Sequence, residues 1–120
     1  METTVLVVDD SPTELRAMQA ALAGRGYTVV TAVDGEQALE KAMLFKPRVM
    51  LLDIVLPKKN GFQVCRQLKT TPQTQDIKIV LVSSKTQDSD RFWGMKQGAD
   101  EYITKPYDAA QLAASVDRFL

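Results

Sequence analysis

The sequence predicts an α/β domain built on a doubly wound, five-stranded parallel sheet with five helices. Short runs of β-branched and apolar residues alternate five times with amphipathic stretches. Three of the runs, VLVV, VMLL and IVLV, are apolar at every position, as expected of strands covered on both faces of a parallel sheet. No repeat, linker or low-complexity segment interrupts the series, so the βα units read as one domain over residues 1–120.

The first strand, at 4–8, runs into Asp9-Asp10. Ser11 is the expected cap of a helix at 12–24, with Pro12 in the first helical position and Glu14 where a capping box needs it. The second strand, at 28–32, leads through a second cap, Asp34, into a helix at 35–45. The third, at 49–52, ends on Asp53, and a helix follows at 60–70. The fourth, at 77–82, ends on Ser83-Ser84 before a helix at 88–97. On that helix Phe92 and Met95 form the expected inward pair, which leaves Trp93 outward. The fifth strand, at 101–104, ends on Lys105-Pro106, and Asp108 caps the last helix, at 108–119. Gly26, Gly61 and Gly98 mark turns. Cys65, near Phe62 and Leu68, reads as a small core residue.

Composition removes several function classes. With 15 basic and 15 acidic residues the formal net charge is zero, and no basic run exceeds Lys58-Lys59, so nothing argues for nucleic acid or an anionic membrane. No apolar run approaches the ~18–20 residues of a membrane-spanning helix, and Met1-Glu2 does not start a signal peptide. The single cysteine excludes an intrachain disulfide, which makes a cytoplasmic location the expectation. Histidine is absent, which excludes histidine acid–base catalysis, histidine metal ligands and a phosphohistidine on this chain.

In open α/β sheets ligands bind beyond the carboxyl ends of the strands. If the first strand lies centrally beside the third, with the fourth and fifth following, then Asp9, Asp10, Asp53, Ser83 and Lys105 share one crevice. Three carboxylates against one ammonium carry a net charge of about −2, costly in a partly buried cleft. A divalent cation would offset it, and carboxylates plus waters suit Mg²⁺. One carboxylate could then attack phosphorus while lysine and hydroxyl hold the transferring oxygens.

On these residues the chain resembles the receiver domain of two-component response regulators, in its single-domain, CheY-like form. The resemblance is carried by Asp9-Asp10, by Asp53 with Pro57 and Gly61 in LLDIVLPKKNG, by Ser83 after VLV, and by Tyr102-Ile103-Thr104-Lys105-Pro106. These occur in order across essentially the whole chain. The resemblance implies a flavodoxin-like strand order, 2-1-3-4-5. It implies that Asp53 accepts a phosphoryl group from a histidine kinase or phosphotransfer protein. Asp10 and Asp53 would ligate Mg²⁺ directly, Asp9 through water, and Val55 through its backbone carbonyl. Lys105 would contact the phosphoryl oxygens, and its peptide bond to Pro106 is expected to be cis.

The resemblance also implies a switch. Ser83 would move to the phosphoryl group, Tyr102 would turn into the vacated space, and the surface of the fourth helix, fifth strand and fifth helix would repack. Tyr102 and Trp93 would meet a downstream protein there, unless Trp93 simply packs on its own helix. Kinase specificity is expected on the first helix and the loop after the fifth strand, with Leu15, Met18, Gln19 and Tyr107 as candidates; Leu15 and Met18 fit the core equally well. Such a domain is a monomer or weak dimer and no general enzyme, catalysing only its own phosphotransfer and dephosphorylation. Val55 and Lys85 flank the path of hydrolytic water, and an apolar Val55 is expected to slow loss of phosphate.

Rival readings fit less well. A haloacid-dehalogenase-type phosphatase wants a second Asp two residues past the nucleophile, where this chain has Val55. A flavodoxin-type carrier needs a glycine- and hydroxyl-rich loop after the first strand, where DDSPTE is acidic. Neither G-x-x-x-x-G-K-[ST] nor G-x-G-x-x-G occurs. A receiver-like docking module that works without phosphorylation is the remaining alternative. A stand-alone regulator, as in chemotaxis or pilus-based motility, is favoured over the receiver part of a longer regulator.

Overall fold

The computed structural model describes residues 3–120. Five parallel strands, β1 (Thr3–Val8), β2 (Tyr27–Ala32), β3 (Val49–Leu52), β4 (Lys78–Ser83) and β5 (Glu101–Thr104), lie in the order β2-β1-β3-β4-β5. Five helices alternate with them: α1 (Pro12–Leu22), α2 (Gly35–Phe45), α3 (Gly61–Lys69), α4 (Asp88–Lys96) and α5 (Ala109–Arg118). Side chains of successive strand residues point to opposite faces, so each apolar run feeds two cores. Val5, Val7, Val49, Leu51, Val80, Val82 and Ile103 pack with Leu15, Met18 and Leu22 of α1 and Leu112, Ala113 and Val116 of α5. Leu6, Val8, Met50, Leu52, Ile79 and Leu81 pack on the other side with Ala38 and Ala42 of α2 and Val64, Cys65 and Leu68 of α3. Cys65 is thus the core residue the sequence suggests, and burial pushes its thiol up to about 12.

The register sets the strand ends level. Val8 pairs with Leu52, Leu52 with Leu81, and Ser83 with Thr104. Asp9 and Asp53 therefore leave neighbouring strands side by side, and the Asp53 amide donates to the Val8 carbonyl at 3.1 Å.

Helix starts follow the sequence signals. The side chains of Ser11, Asp34 and Asp108 accept from the third helical amide of α1, α2 and α5. The capping box, however, closes on α3, between Asn60 and Gln63. At α1 the Ser11 amide is taken by Asp9 Oδ1 at 3.0 Å, and Glu14 points elsewhere. Two boundaries shift for local reasons. α1 stops at Leu22, short of 24, where Ala23 takes extended backbone ahead of Gly24 at a positive φ of 77°. β4 begins at Lys78, one residue late, because the Ile77 amide closes a turn onto Thr74.

The inward pair expected on α4 is wrong. Phe92 is 62% exposed and Met95 46%, while the buried residue of this helix is Gly94. A Cβ on Gly94 would lie 2.7 Å from Leu81 Cδ1 and 3.3 Å from Tyr102 Cδ2. The helix thus touches the sheet at its glycine, and the large residues on either side turn outward.

Gly61 has a similar close approach, but to backbone: a Cβ there would lie 2.3 Å from the Asp53 carbonyl oxygen. Alanine favours helix by up to about 1 kcal/mol, yet overpacking costs about 1–3 kcal/mol. Gly61→Ala is expected to lower stability by about 2 kcal/mol in urea unfolding; a neutral or stabilised variant would contradict this packing.

Candidate functional site

The acidic cluster forms where the level strand ends put it. Asp9, Asp10 and Asp53 each offer a carboxylate oxygen within 4.8 Å of the others, the first and third buried and Asp10 exposed. Each departs from an apolar run that the sheet holds rigid, so the three converge without a loop of their own. Lys105 arrives from the end of β5, where its amide donates to the Ser83 carbonyl at 2.8 Å and its peptide bond to Pro106 is cis. Its ammonium donates to Asp9 Oδ2 at 2.9 Å and lies 3.7 Å from Asp53 Oδ2 and 3.9 Å from Glu14 Oε2.

The electrostatics follow from this crowding. Burial pushes the Asp53 carboxyl up from 3.8 to about 6, against Lys105 and the amides of Ile54 and Val55 and with help from Asp9. The Ile54 amide donates to Asp53 Oδ1 at 2.7 Å, which leaves Oδ2 on the side of Lys105. Burial works to lower Lys105, but the bond to Asp9 and the charges of Asp53, Asp9 and Glu14 outweigh it, so its ammonium is held above the usual lysine value. Oxygen donors of this charge suit a hard divalent cation.

Ser83 is fully buried, and its Oγ accepts from the Lys85 amide at 3.3 Å. Tyr102 is already inward. Its ring is buried beside Gly94, its hydroxyl donates to the Lys85 carbonyl at 2.7 Å, and the Arg91 guanidinium lies 5.2 Å from its ring centre. The ring thus lies under α4, which covers it at its glycine. Burial, then the Asp90 charge, raise the phenol above its ordinary range, with Ser83 and Arg91 opposing. Trp93 is 53% exposed beside Phe92, so this face of α4 is broadly apolar. Val55 is exposed next to Asp53.

Two kinase-facing candidates turn inward. Leu15 and Met18 recur with Leu22 along one stripe of α1 and fill the core against β1 and α5; Gln19 stays exposed. Tyr107 is half-buried, and its hydroxyl has no hydrogen-bond partner among the described residues. Sequence reading missed Glu14 as a neighbour of Lys105. Its signal was present only as an acidic residue in the first turn of the helix that follows Asp9-Asp10.

A buried carboxylate with one free oxygen, beside a lysine and an acidic cluster, suits attack on an electrophile rich in anionic oxygens. Comparison with known proteins points the same way. The sequence profile of the response regulator receiver domain matches residues 5–117. Protein PilH of Pseudomonas aeruginosa is 41% identical over 116 residues, covering 97% of this chain and 96% of that protein. The alkaline phosphatase synthesis transcriptional regulatory protein PhoP of Bacillus subtilis is 39% identical over the full chain, which spans 49% of it. The chemotaxis protein CheY4 of Vibrio cholerae has the same fold, with a TM-score of 0.92 at 28% identity and full coverage of both chains. The chain belongs to the response regulator receiver domains of two-component signalling.

Proposed function

We propose that this receiver takes a phosphoryl group on Asp53 from the phosphohistidine of a histidine kinase or phosphotransfer protein. The observation that carries this reading is the placement of the Asp53 carboxylate, buried to 7% exposure between Asp9 and Lys105 with one oxygen fixed and the other facing the lysine. That second oxygen attacks phosphorus, the bond from phosphorus to the donor's imidazole nitrogen breaks, and the electron pair leaves with the imidazole. The Ile54 amide holds the carboxylate in one orientation. Lys105 meets the charge on the equatorial oxygens, and the Ser83 hydroxyl lies at the adjoining strand end as a further donor. Asp10, Asp53 and the Val55 carbonyl are the ligands we assign to Mg²⁺, with Asp9 beyond them. When bound, the ion neutralises carboxylate and phosphoryl charge.

Phosphorylation adds charge and acceptor oxygens beside β4. Ser83 precedes the Lys85 carbonyl that holds the Tyr102 hydroxyl, and Tyr102 packs under α4. A shift of Ser83 is thereby transmitted to the face of α4, β5 and α5, where Trp93 is the docking anchor for a downstream protein. The apolar side chain of Val55 offers no hydrogen bond to an attacking water, so the phosphoryl group is held longer. The same reading gives a cytoplasmic protein; among the described residues no helix is long and apolar enough to cross a membrane. Chemotaxis or pilus-based motility is the pathway class we favour, and likeness to PilH over nearly the whole of both chains supports it.

Intact mass after incubation with acetyl phosphate and Mg²⁺ tests the central step. One phosphoryl group is expected, absent without Mg²⁺ and absent in Asp53→Asn. No gain in the folded protein, with a cognate kinase failing as well, would leave the phosphorylation-independent docking module. Val55→Asn is expected to shorten the half-life of the phosphorylated protein by about three- to tenfold, measured by loss of mass after donor removal. An unchanged half-life would remove Val55 from that role.

A further inference from the structure

Glu14 adds negative charge to a site that already holds three carboxylates against one ammonium. It stands at the third position of α1, where its amide donates to the Ser11 hydroxyl and its side chain remains 40% exposed. Among the described residues Lys105 is the one cation within 4 Å of its carboxylate. Glu14 also lines a cleft of about 560 Å³ with Ala17, Ser84, Lys105, Pro106 and Tyr107. An anion that reaches Lys105 through this cleft shares it with the Glu14 charge.

On the phosphoacceptor reading above, we infer that Glu14 is a donor-selecting residue that screens Asp53 against small, free phosphodonors of high negative charge. Its effect is electrostatic and acts before the chemical step. With acetyl phosphate, the bond from an Asp53 oxygen to phosphorus forms as the bond from phosphorus to the acetyl oxygen breaks, and acetate leaves with the electron pair. The donor brings two negative charges at neutral pH. Phosphoramidate, whose nitrogen is protonated, brings a lower net charge and feels Glu14 less. Removing one charge within a Debye length of a dianion raises its encounter rate by about three- to fivefold in dilute buffer, and by little at high ionic strength.

The experiment compares wild type, Glu14→Gln and Glu14→Lys, each verified as folded by circular dichroism. Initial phosphorylation rates with Mg²⁺ are read by mass, with acetyl phosphate and with phosphoramidate, in dilute buffer and in high salt. Glu14→Gln is expected to react about three- to fivefold faster with acetyl phosphate and Glu14→Lys faster still. The gain is smaller with phosphoramidate and collapses in salt, whereas a purely structural role would alter both donors alike and persist. In metal-free buffer, inorganic phosphate titrated against the amide resonances of Ser84 and Lys105 should half-saturate Glu14→Gln at a concentration lower by a similar factor. Equal, non-zero rates with unchanged phosphate titrations would overturn this inference alone. Failure of every variant to gain mass with either donor would overturn this inference, and failure with a cognate kinase as well would overturn the phosphoacceptor reading with it.

Discussion

Lys105 sits 2.9 Å from one buried carboxylate and 3.7 Å from another, and the character of the strand ends depends on that ammonium. Without it Asp9 and Asp53 would face each other at the edge of an apolar core, where an isolated ionised carboxylate is costly. With it the balance remains incomplete, and burial still lifts Asp53 to about 6. The sign of the linkage follows. Asp53 binds its proton more tightly in the folded chain than in the unfolded one, so in metal-free buffer the fold loses stability as pH rises from about 4 through about 6. For a side chain 10% exposed the full loss is about 3 kcal/mol, a sizeable share of a small domain's stability. The carboxylate at the centre of the cluster thus weakens the metal-free fold in which it sits.

The frame around this charge is stiff by construction. β1 and β3 are buried in mid-sheet, and their registered ends fix where Asp9 and Asp53 emerge. Gly61 lets α3 start against the Asp53 carbonyl, and Gly35 lets α2 start against Lys59, where a Cβ would lie 2.2 Å from the carbonyl oxygen. The loop after Asp53 is thereby held between two helix starts. The other side of the sheet end is softer. α4 touches Leu81 and Tyr102 through Gly94 and leaves Phe92, Trp93 and Met95 outside, so it has little apolar contact to keep it in place. A rigid strand end at Asp53 thus stands beside a helix held by few apolar contacts.

Much of this was legible because apolar runs end abruptly on charged residues. VLVV before Asp9-Asp10 and VMLL before Asp53 state both the strands and the side chains at their ends, and Lys105-Pro106 marks the fifth. Helix caps at Ser11, Asp34 and Asp108 could be read because a single side chain performs each task locally. What escaped depended on tertiary packing. The stripe of Leu15 and Met18 fits a core or a docking face equally well until α5 is known to lie against it. The orientation of α4 was misread because large apolar residues suggest burial, whereas the contact is made by a glycine that has no side chain to announce it. Glu14 escaped because a capping box offered it a local task, while Asp9 had taken the Ser11 amide.

Asp53 is a buried, incompletely compensated carboxylate, and titration of its carboxyl carbon by carbon-13 NMR in metal-free buffer tests that most directly. A midpoint near pH 6 is expected. A midpoint near the ordinary 3.8 would contradict it, because the crevice would then be too wet or too well neutralised to hold Asp53 as described.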